Sequence, residues 1–282
     1  MPELPEVETV CRGLNQVTLG KMIRGGEVFL EKTLAYPLSV SEFCDRLAGV
    51  AIAHWQRRGK YLLAQLVTPD KELAGWLGFH LRMTGQLLWV EQAEALPKHT
   101  RVRLFFEGNR ELRFVDIRTF GRIWRVPPTE APETRITGLQ KLGVEPFSAD
   151  FSLDYFAQQL KKSQRSIKAV LLDQAIIAGL GNIYADEALF KSGIRPTAIA
   201  RELRREQLEC LRHAILEILQ TAIERGGTTF SNFLNVEGIN GNYGGVAWVY
   251  GRDRKPCRLC ATPIERLKLG GRSTHYCPQC QR

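Results

Sequence analysis

The chain has 282 residues, 44% of them hydrophobic and 24% charged, an ordinary globular composition with room for two domains. No apolar run is long enough to span a bilayer, and no basic stretch followed by an apolar block opens the chain, so no membrane association is expected and the chain reads as cytoplasmic. The formal charge of +9 points to a polyanionic partner, and the excess gathers at the end: from Arg252 onward eight basic residues are opposed only by Asp253 and Glu265.

The opening "MPELPEVETV" has two prolines and three glutamates in its first eight residues. Val7, Val10, Cys11 and Leu14 then follow the i, i+3, i+4, i+7 spacing of a helix. Pro5 suits a first-turn position, where a missing N–H costs nothing, and Glu6 and Glu8 suit the positive end of the helix dipole. A helix is therefore expected almost from the first residue.

Residues 22–126 read mostly as strands. "KYLLAQLV", "ELAGWLGFHL", "GQLLWV", "RVRLFFE", "ELRFVDI" and "GRIWRV" are short, rich in branched and aromatic residues, and separated by turn formers. Such a series predicts a sandwich or barrel. The three prolines of "VPPTEAPETR" mark a linker. Helices follow at "SLDYFAQQLKKS", "SIKAVLLDQAI", "NIYADEALFKSG" and "REQLECLRHAILEILQTAIERGG", with Asn182 placed as an N-cap. Leu208, Leu211, Ile215, Leu219 and Ile223 form the apolar stripe of the last helix.

Seven cysteines, an odd number in a cytoplasmic-type chain, argue against a disulfide framework. Cys11, Cys44 and Cys210 read as buried small hydrophobes. The other four form Cys257-x-x-Cys260, sixteen residues, then Cys277-x-x-Cys280, the spacing of a four-thiolate zinc site. Such a shell is closed, so the single zinc ion is structural and supplies folding energy to a segment too short for its own core. The stretch between the pairs reads as a β-hairpin turning at Gly270–Gly271, which sets Arg272 beside its tip. A basic ribbon of this kind binds nucleic acid or a protein partner.

The N-terminus carries the possible chemistry. Removal of Met1 leaves Pro2 as a secondary amine. With an α-amino pKa of about 7.7–8.0, a useful fraction is neutral near neutral pH and able to attack a sugar C1′ and form an imine. Glu3 or Glu6 then stands ready to move protons. On this segment alone, a rigid acidic helix start is the better explanation of the residues.

"PELPEVET", "RRGKYLL", "HLRMTG", "DIRTFG", "GLGNIYADEALF", "GTTFSNFLNVEG" and "GRSTHYCPQCQ" together resemble the bacterial formamidopyrimidine-DNA glycosylase family, in order and over nearly the whole chain. The resemblance implies an α+β multidomain protein. It has an N-terminal β-sandwich with an N-terminal helix over 1–127, a linker over 128–150, and a helix–two-turn–helix DNA-binding domain over 151–236. A lesion-capping loop, including "GINGNYGG", and a zinc-finger hairpin occupy 237–282.

The implied activity is bifunctional: excision of 8-oxoguanine and formamidopyrimidines, then nicking at the abasic site by β,δ-elimination. Pro2 is the implied nucleophile and Glu3 the general acid/base. Lys60 is the implied proton donor for β-elimination, and Arg272 the phosphate grip that assists δ-elimination. Met83, Arg118 and Phe120 are the implied wedge that fills the hole left by a flipped nucleotide. Glu6, His99, Arg165, Lys168 and Asn182 are further implied DNA-binding residues. The partner is double-stranded DNA with oxidised purines or abasic sites, bound by a monomer.

Two departures from the family pattern are visible: Thr119 replaces a second Arg in the wedge segment, and Arg82 replaces a small residue in "HLRMTG". Two rival functions are an endonuclease VIII-type oxidised-pyrimidine glycosylase, which "PELPEVET" with Met83, Arg118 and Phe120 disfavours, and a non-catalytic zinc-dependent DNA binder.

Overall fold

In the computed structural model, which describes residues 1–228, 236–238 and 241–282, the N-terminal apolar stripe forms helix α1 (Leu4–Thr18). Pro5 sits in its first turn, and Leu4, Val7, Val10 and Leu14 are buried. Each such side chain contributes roughly 1.5–3 kcal/mol on leaving water. The described residues fall into two compact units, Met1–Gln140 with Gly226–Gly241, and Lys141–Arg225 with Asn242–Arg282.

The first unit contains β1 (Ile23–Val28), β2 (Leu34–Tyr36), α2 (Val40–Asp45), β3 (Ala51–Arg58), β4 (Tyr61–Val67), β5 (Leu73–His80), β6 (Gly85–Glu91), β7 (Thr100–Phe106), β8 (Arg110–Asp116) and β9 (Arg122–Val126). They build a four-stranded sheet, β1-β7-β8-β6, and a five-stranded sheet, β2-β9-β5-β4-β3. β7 shows the period-2 pattern of a half-buried strand, with Thr100, Val102, Leu104 and Phe106 inward. Leu104, Phe106, Leu112 and Phe114 of one sheet share a core with Trp55, Leu62, Leu77 and Phe79 of the other, and α1 adds Val7, Val10 and Leu14. This is the expected sandwich with its helix.

The stretch 128–150, expected as a linker, carries α3 (Pro132–Arg135) and α4 (Thr137–Gln140). Ile136 and Leu139 are buried there, so two apolar anchors hold a proline-rich segment against the first unit. Val236 also belongs to that unit: its carbonyl accepts from Trp89 N at 2.8 Å and its side chain joins the sandwich core. The contacts thus return Gly226–Gly241 to the first unit, whereas the spans read from the sequence run in simple chain order. Thr229–Asn235, Ile239 and Asn240 lie outside the described residues, and with them part of the expected lesion-capping loop.

The second unit holds α5 (Leu153–Lys161), α6 (Ile167–Leu171), α7 (Asn182–Lys191) and α8 (Arg205–Glu224). Ser152 and Ser166 cap α5 and α6 through their hydroxyls. All five residues of the α8 stripe are buried. Two readings are corrected. Gly181 occupies the cap of α7 and Asn182 is its first helical residue, with its side chain drawn to Ser273. Cys210 is exposed, on the outer face of α8 away from the stripe. β10 (Glu265–Leu269) and β11 (Arg272–Tyr276) form the expected hairpin, with Gly270 and Gly271 at φ 55° and 79° in its two-residue turn. No helix among the described residues is long and apolar enough to cross a membrane.

Candidate active site and nucleic-acid interface

Helix α1 lies along β3 in a fixed register. Asn15 exchanges hydrogen bonds with the Trp55 backbone, at 2.9 Å and 2.8 Å, and Arg57 Nε meets Glu8 Oε2 at 2.9 Å. Helix numbers fall as strand numbers rise. The head of α1 and the Gly59–Lys60 turn that links β3 to β4 therefore occupy the same end of the unit. Pro2 and Glu3 are buried at that head, and Lys60 is only 7% exposed.

Glu6 is an anchor. Its Oε2 accepts the Glu3 N–H at 2.7 Å and its Oε1 accepts the Thr228 N–H at 2.7 Å. Gly227 makes this approach possible: its φ is +80°, and an added Cβ would lie 2.9 Å from Glu6 Oε1. Glu6 thus ties the helix head to the segment at 227–228 and is itself 2% exposed.

His80, which the sequence reading passed over, lies across β4–β5 from Tyr61, ring against ring at 4.5 Å. Burial, then the charges of Arg82 and Lys60, push its pKa down to about 3. It is a neutral imidazole whose Nδ1 accepts the Arg82 N–H at 3.0 Å, leaving the proton on Nε2.

The three wedge candidates come together at one exposed edge. Met83 stands on the turn between β5 and β6, and Arg118 and Phe120 on the turn between β8 and β9. Met83 is 37% exposed and Phe120 49%, and the Arg118 guanidinium carbon lies 4.9 Å from the Phe120 ring centre. Core packing is thereby ruled out for all three. Ile117, 45% exposed, enlarges the apolar tip.

Asp116 is the hub that holds these turns, and it too was not singled out in the sequence. Its Oδ1 accepts from Thr84 Oγ1 and its Oδ2 accepts the Gly121 N–H at 2.8 Å, while Thr84 Oγ1 accepts the Arg118 N–H at 3.0 Å. Asp116 N donates to the carbonyl of His99 at 3.0 Å, which brings that candidate beside the wedge. A carboxylate opening the turn and a hydroxyl after Met83 were the available signals.

In the second unit, Arg165, Lys168, Asp173 and Arg272 line a cavity of about 240 Å³ beside the hairpin tip. Arg272 is exposed, and Arg165 pairs with Asp173 at 2.8 Å on the surface. Lys168 is wholly buried. Its Nζ lies 2.6 Å from Asp186 Oδ1 and donates to Thr274 Oγ1 at 2.8 Å and Ser273 O at 3.0 Å. Asn182 Nδ2 donates to the same Ser273 carbonyl at 2.9 Å. Lys168 and Asn182 therefore brace strand β11 against α6 and α7.

The four cysteine sulfurs lie within 4.8 Å of one another, Cys257–Cys280 at 3.9 Å and Cys260–Cys277 at 3.5 Å. Zinc–thiolate bonds of about 2.3 Å give a tetrahedron with edges of about 3.8 Å, so the set fits zinc. The Leu259 and Cys280 amides donate to Cys257 and Cys277 sulfur, both at 3.4 Å. Phe190, Val249 and Ile264 pack around the cluster.

Three family models cover the chain: the formamidopyrimidine-DNA glycosylase N-terminal domain over residues 1–123, its H2TH domain over 142–233, and the zinc finger found in FPG and IleRS over 254–282. The chain belongs to the formamidopyrimidine-DNA glycosylase family. A formamidopyrimidine-DNA glycosylase of Rippkaea orientalis is 67% identical over 281 residues, covering both chains fully. That of Trichodesmium erythraeum is 62% identical over 300 residues, again covering both chains fully. The crystal structure of MutM (Fpg) from Thermus thermophilus superposes with a TM-score of 0.87 at 40% identity, over 99% of this chain and 98% of that one. A complex between Lactococcus lactis Fpg and DNA containing an abasic site superposes at 0.89 with 33% identity, over 99% of each chain. Members of this family are bifunctional DNA glycosylases and abasic-site lyases that excise oxidised purines in base excision repair, and this chain is one of them. Its four cysteines hold one structural zinc.

Proposed function

We propose that Pro2, freed of Met1, is the nucleophile of both steps. Its nitrogen attacks C1′ of the damaged nucleotide, the glycosidic bond breaks, and the oxidised purine leaves with its electron pair and a proton. The C1′–O4′ bond then breaks as the nitrogen lone pair forms the C1′=N iminium and O4′ leaves as a hydroxyl, taking a proton from Glu3, and the iminium acidifies C2′–H. Loss of that proton expels the 3′ phosphate, and a second elimination expels the 5′ phosphate. Glu3, buried at the same helix head, takes and returns the protons at the sugar. Lys60 gives the proton assigned to β-elimination, and Arg272 neutralises phosphate charge as the δ-elimination proceeds.

Met83, Arg118 and Phe120 fill the stack once the lesion is extruded, and their joint exposure on turns pinned by Asp116 supports that role. Arg165 and His99 contact backbone phosphates. Lys168, Asn182 and Glu6 act on DNA binding by holding the hairpin and the helix head in place. In this reading residues 1–127 supply chemistry, 151–236 grip the duplex, and 237–282 cap the lesion and carry the zinc. The substrate is duplex DNA with oxidised purines, as the Lactococcus lactis complexes with Fapy-dG DNA suggest, and the site of action is the bacterial cytoplasm.

The observation that carries the reading is the burial of Pro2, whose nitrogen becomes an amine once Met1 is removed, next to the buried Glu3 carboxylate at the head of α1. Borohydride added during reaction with 8-oxoguanine duplex is expected to leave a covalent adduct on the N-terminal peptide. A processed, zinc-loaded sample with no adduct on Pro2 would remove the assignment.

A further inference from the structure

Arg82 has no part in the chemistry above, yet its backbone sits at φ 53°, in the left-handed region. Residues with a Cβ avoid that region because the Cβ crowds the following carbonyl, and glycine is the usual occupant. Thr119, on the adjoining turn, is at φ 59°, a stronger anomaly for a branched side chain. Both strained residues adjoin the wedge: Arg82 precedes Met83, and Thr119 lies between Arg118 and Phe120.

The conformation is imposed by named contacts. His80 Nδ1 holds the Arg82 N–H at 3.0 Å, and the Thr119 turn is fixed at its ends by Arg118 N–H to Thr84 at 3.0 Å and Gly121 N–H to Asp116 at 2.8 Å. The Arg82 side chain is exposed, and its guanidinium makes no hydrogen bond or ion pair among the described residues. The backbone strain is held by the His80 hydrogen bond, while the guanidinium it presents has no partner among the described residues, which points to a contact made outside the protein. The Asp116 carboxylate that pins these turns is already engaged by Thr84 and Gly121.

We infer that Arg82 is a DNA-contacting residue whose guanidinium takes a backbone phosphate beside the lesion as Met83 enters the stack. This rests on the wedge reading given above and adds to it. A cation one residue from the inserting side chain is carried to the strand by the insertion itself. The Arg118 guanidinium lies over the Phe120 ring, at 4.9 Å, whereas the Arg82 guanidinium has no such partner among the described residues. Thr119 brings no charge, whereas Arg82 places an exposed cation directly before Met83.

The test compares wild type with R82Q, R82K and R82G on a duplex containing a tetrahydrofuran abasic-site analogue, over a series of salt concentrations. R82Q and R82G are expected to bind about 3- to 10-fold more weakly near physiological salt, with a log–log salt slope shallower by about one. R82K is expected to keep the wild-type slope. R82G relieves the backbone, so its thermal midpoint should not fall, which separates weaker binding from poorer folding. Wild-type affinity and slope in R82Q overturn the inference, as does an R82K slope as shallow as that of R82Q. Borohydride trapping of the wild type runs in parallel. Failure to trap overturns the active-site reading, whereas a trapped wild type with an unaffected R82Q overturns only the role of Arg82.

Discussion

The Lys168 ammonium lies 2.6 Å from the Asp186 carboxylate with both side chains almost fully shielded from water, at 1% and 0% exposure. A buried pair gains little net stability over apolar packing, but removing one partner strands the other charge at a cost of about 3–5 kcal/mol. Asp186 Oδ2 also accepts the His275 N–H at 2.8 Å, so the loss would loosen strand β11. Asp186→Ala and Lys168→Met should each lower the denaturation midpoint of the second unit strongly. The double variant Lys168→Met/Asp186→Leu should recover much of that loss. Thermal melts of the four proteins check this, and equal damage in the single and double variants would refute it.

Zinc removal should act on the hairpin and leave the sandwich intact. The thiols of Cys277 and Cys280 are pushed up mainly by burial, while hydrogen bonds from Thr262 hold Cys260 down at about 6. Without metal the four sulfurs lose the ion that holds them together, and Phe190 and Ile264 lose the rigid cluster they pack around. Chelation, or Cys257→Ser, should abolish lesion binding while the first unit keeps its near-ultraviolet circular dichroism. Readdition of zinc to the chelated wild type should restore binding.

His80 predicts a pH dependence. Its folded pKa, about 3, lies below the ordinary histidine value of 6.5 because burial and two neighbouring cations oppose a charge. Between those values the unfolded chain binds the extra proton, so stability rises with pH across the window and is lost as pH falls from 6.5 towards 3. The full effect is roughly 4–5 kcal/mol at 1.36 kcal/mol per pKa unit. His80→Gln should flatten the stability profile between pH 4 and 6.5, measured by urea denaturation. An unchanged slope would show that other groups set it.

Lys60→Ala should uncouple the two activities. On the proposed roles, base release needs only the Pro2 amine and the Glu3 carboxylate, whereas strand nicking draws on the Lys60 proton. Excision should fall far less than nicking, by at least tenfold in their ratio for a general acid worth about 10²–10⁴. Gel assays with and without piperidine separate the two, and parallel losses would remove Lys60 from the elimination step.

Much of this protein was determined by local patterns. Helix α1, the period-2 strands of the sandwich, the stripe of α8 and the Gly270–Gly271 hairpin follow from side-chain spacing, because each element buries one face and the spacing states which. The zinc site follows from two Cys-x-x-Cys pairs for the same reason: four soft ligands at short spacing have few other uses. The roles of Pro2, Glu3 and Lys60 came from motif resemblance, since neither a lone lysine before a strand nor a proline before a helix declares chemistry.

Tertiary structure decided what distance along the chain conceals. It made Lys168 and Asn182 braces for a strand 105 and 91 residues away, as the bonds to Ser273 require. It turned Glu6 inward to meet Thr228, and gathered Met83, Arg118 and Phe120 on one edge around Asp116. It also gave the 128–150 segment two helices, because Ile136 and Leu139 found a surface to cover that no local signal describes. A polar side chain's partner is chosen by what the fold leaves within about 3 Å of it, and that choice is made only when the distant segment arrives.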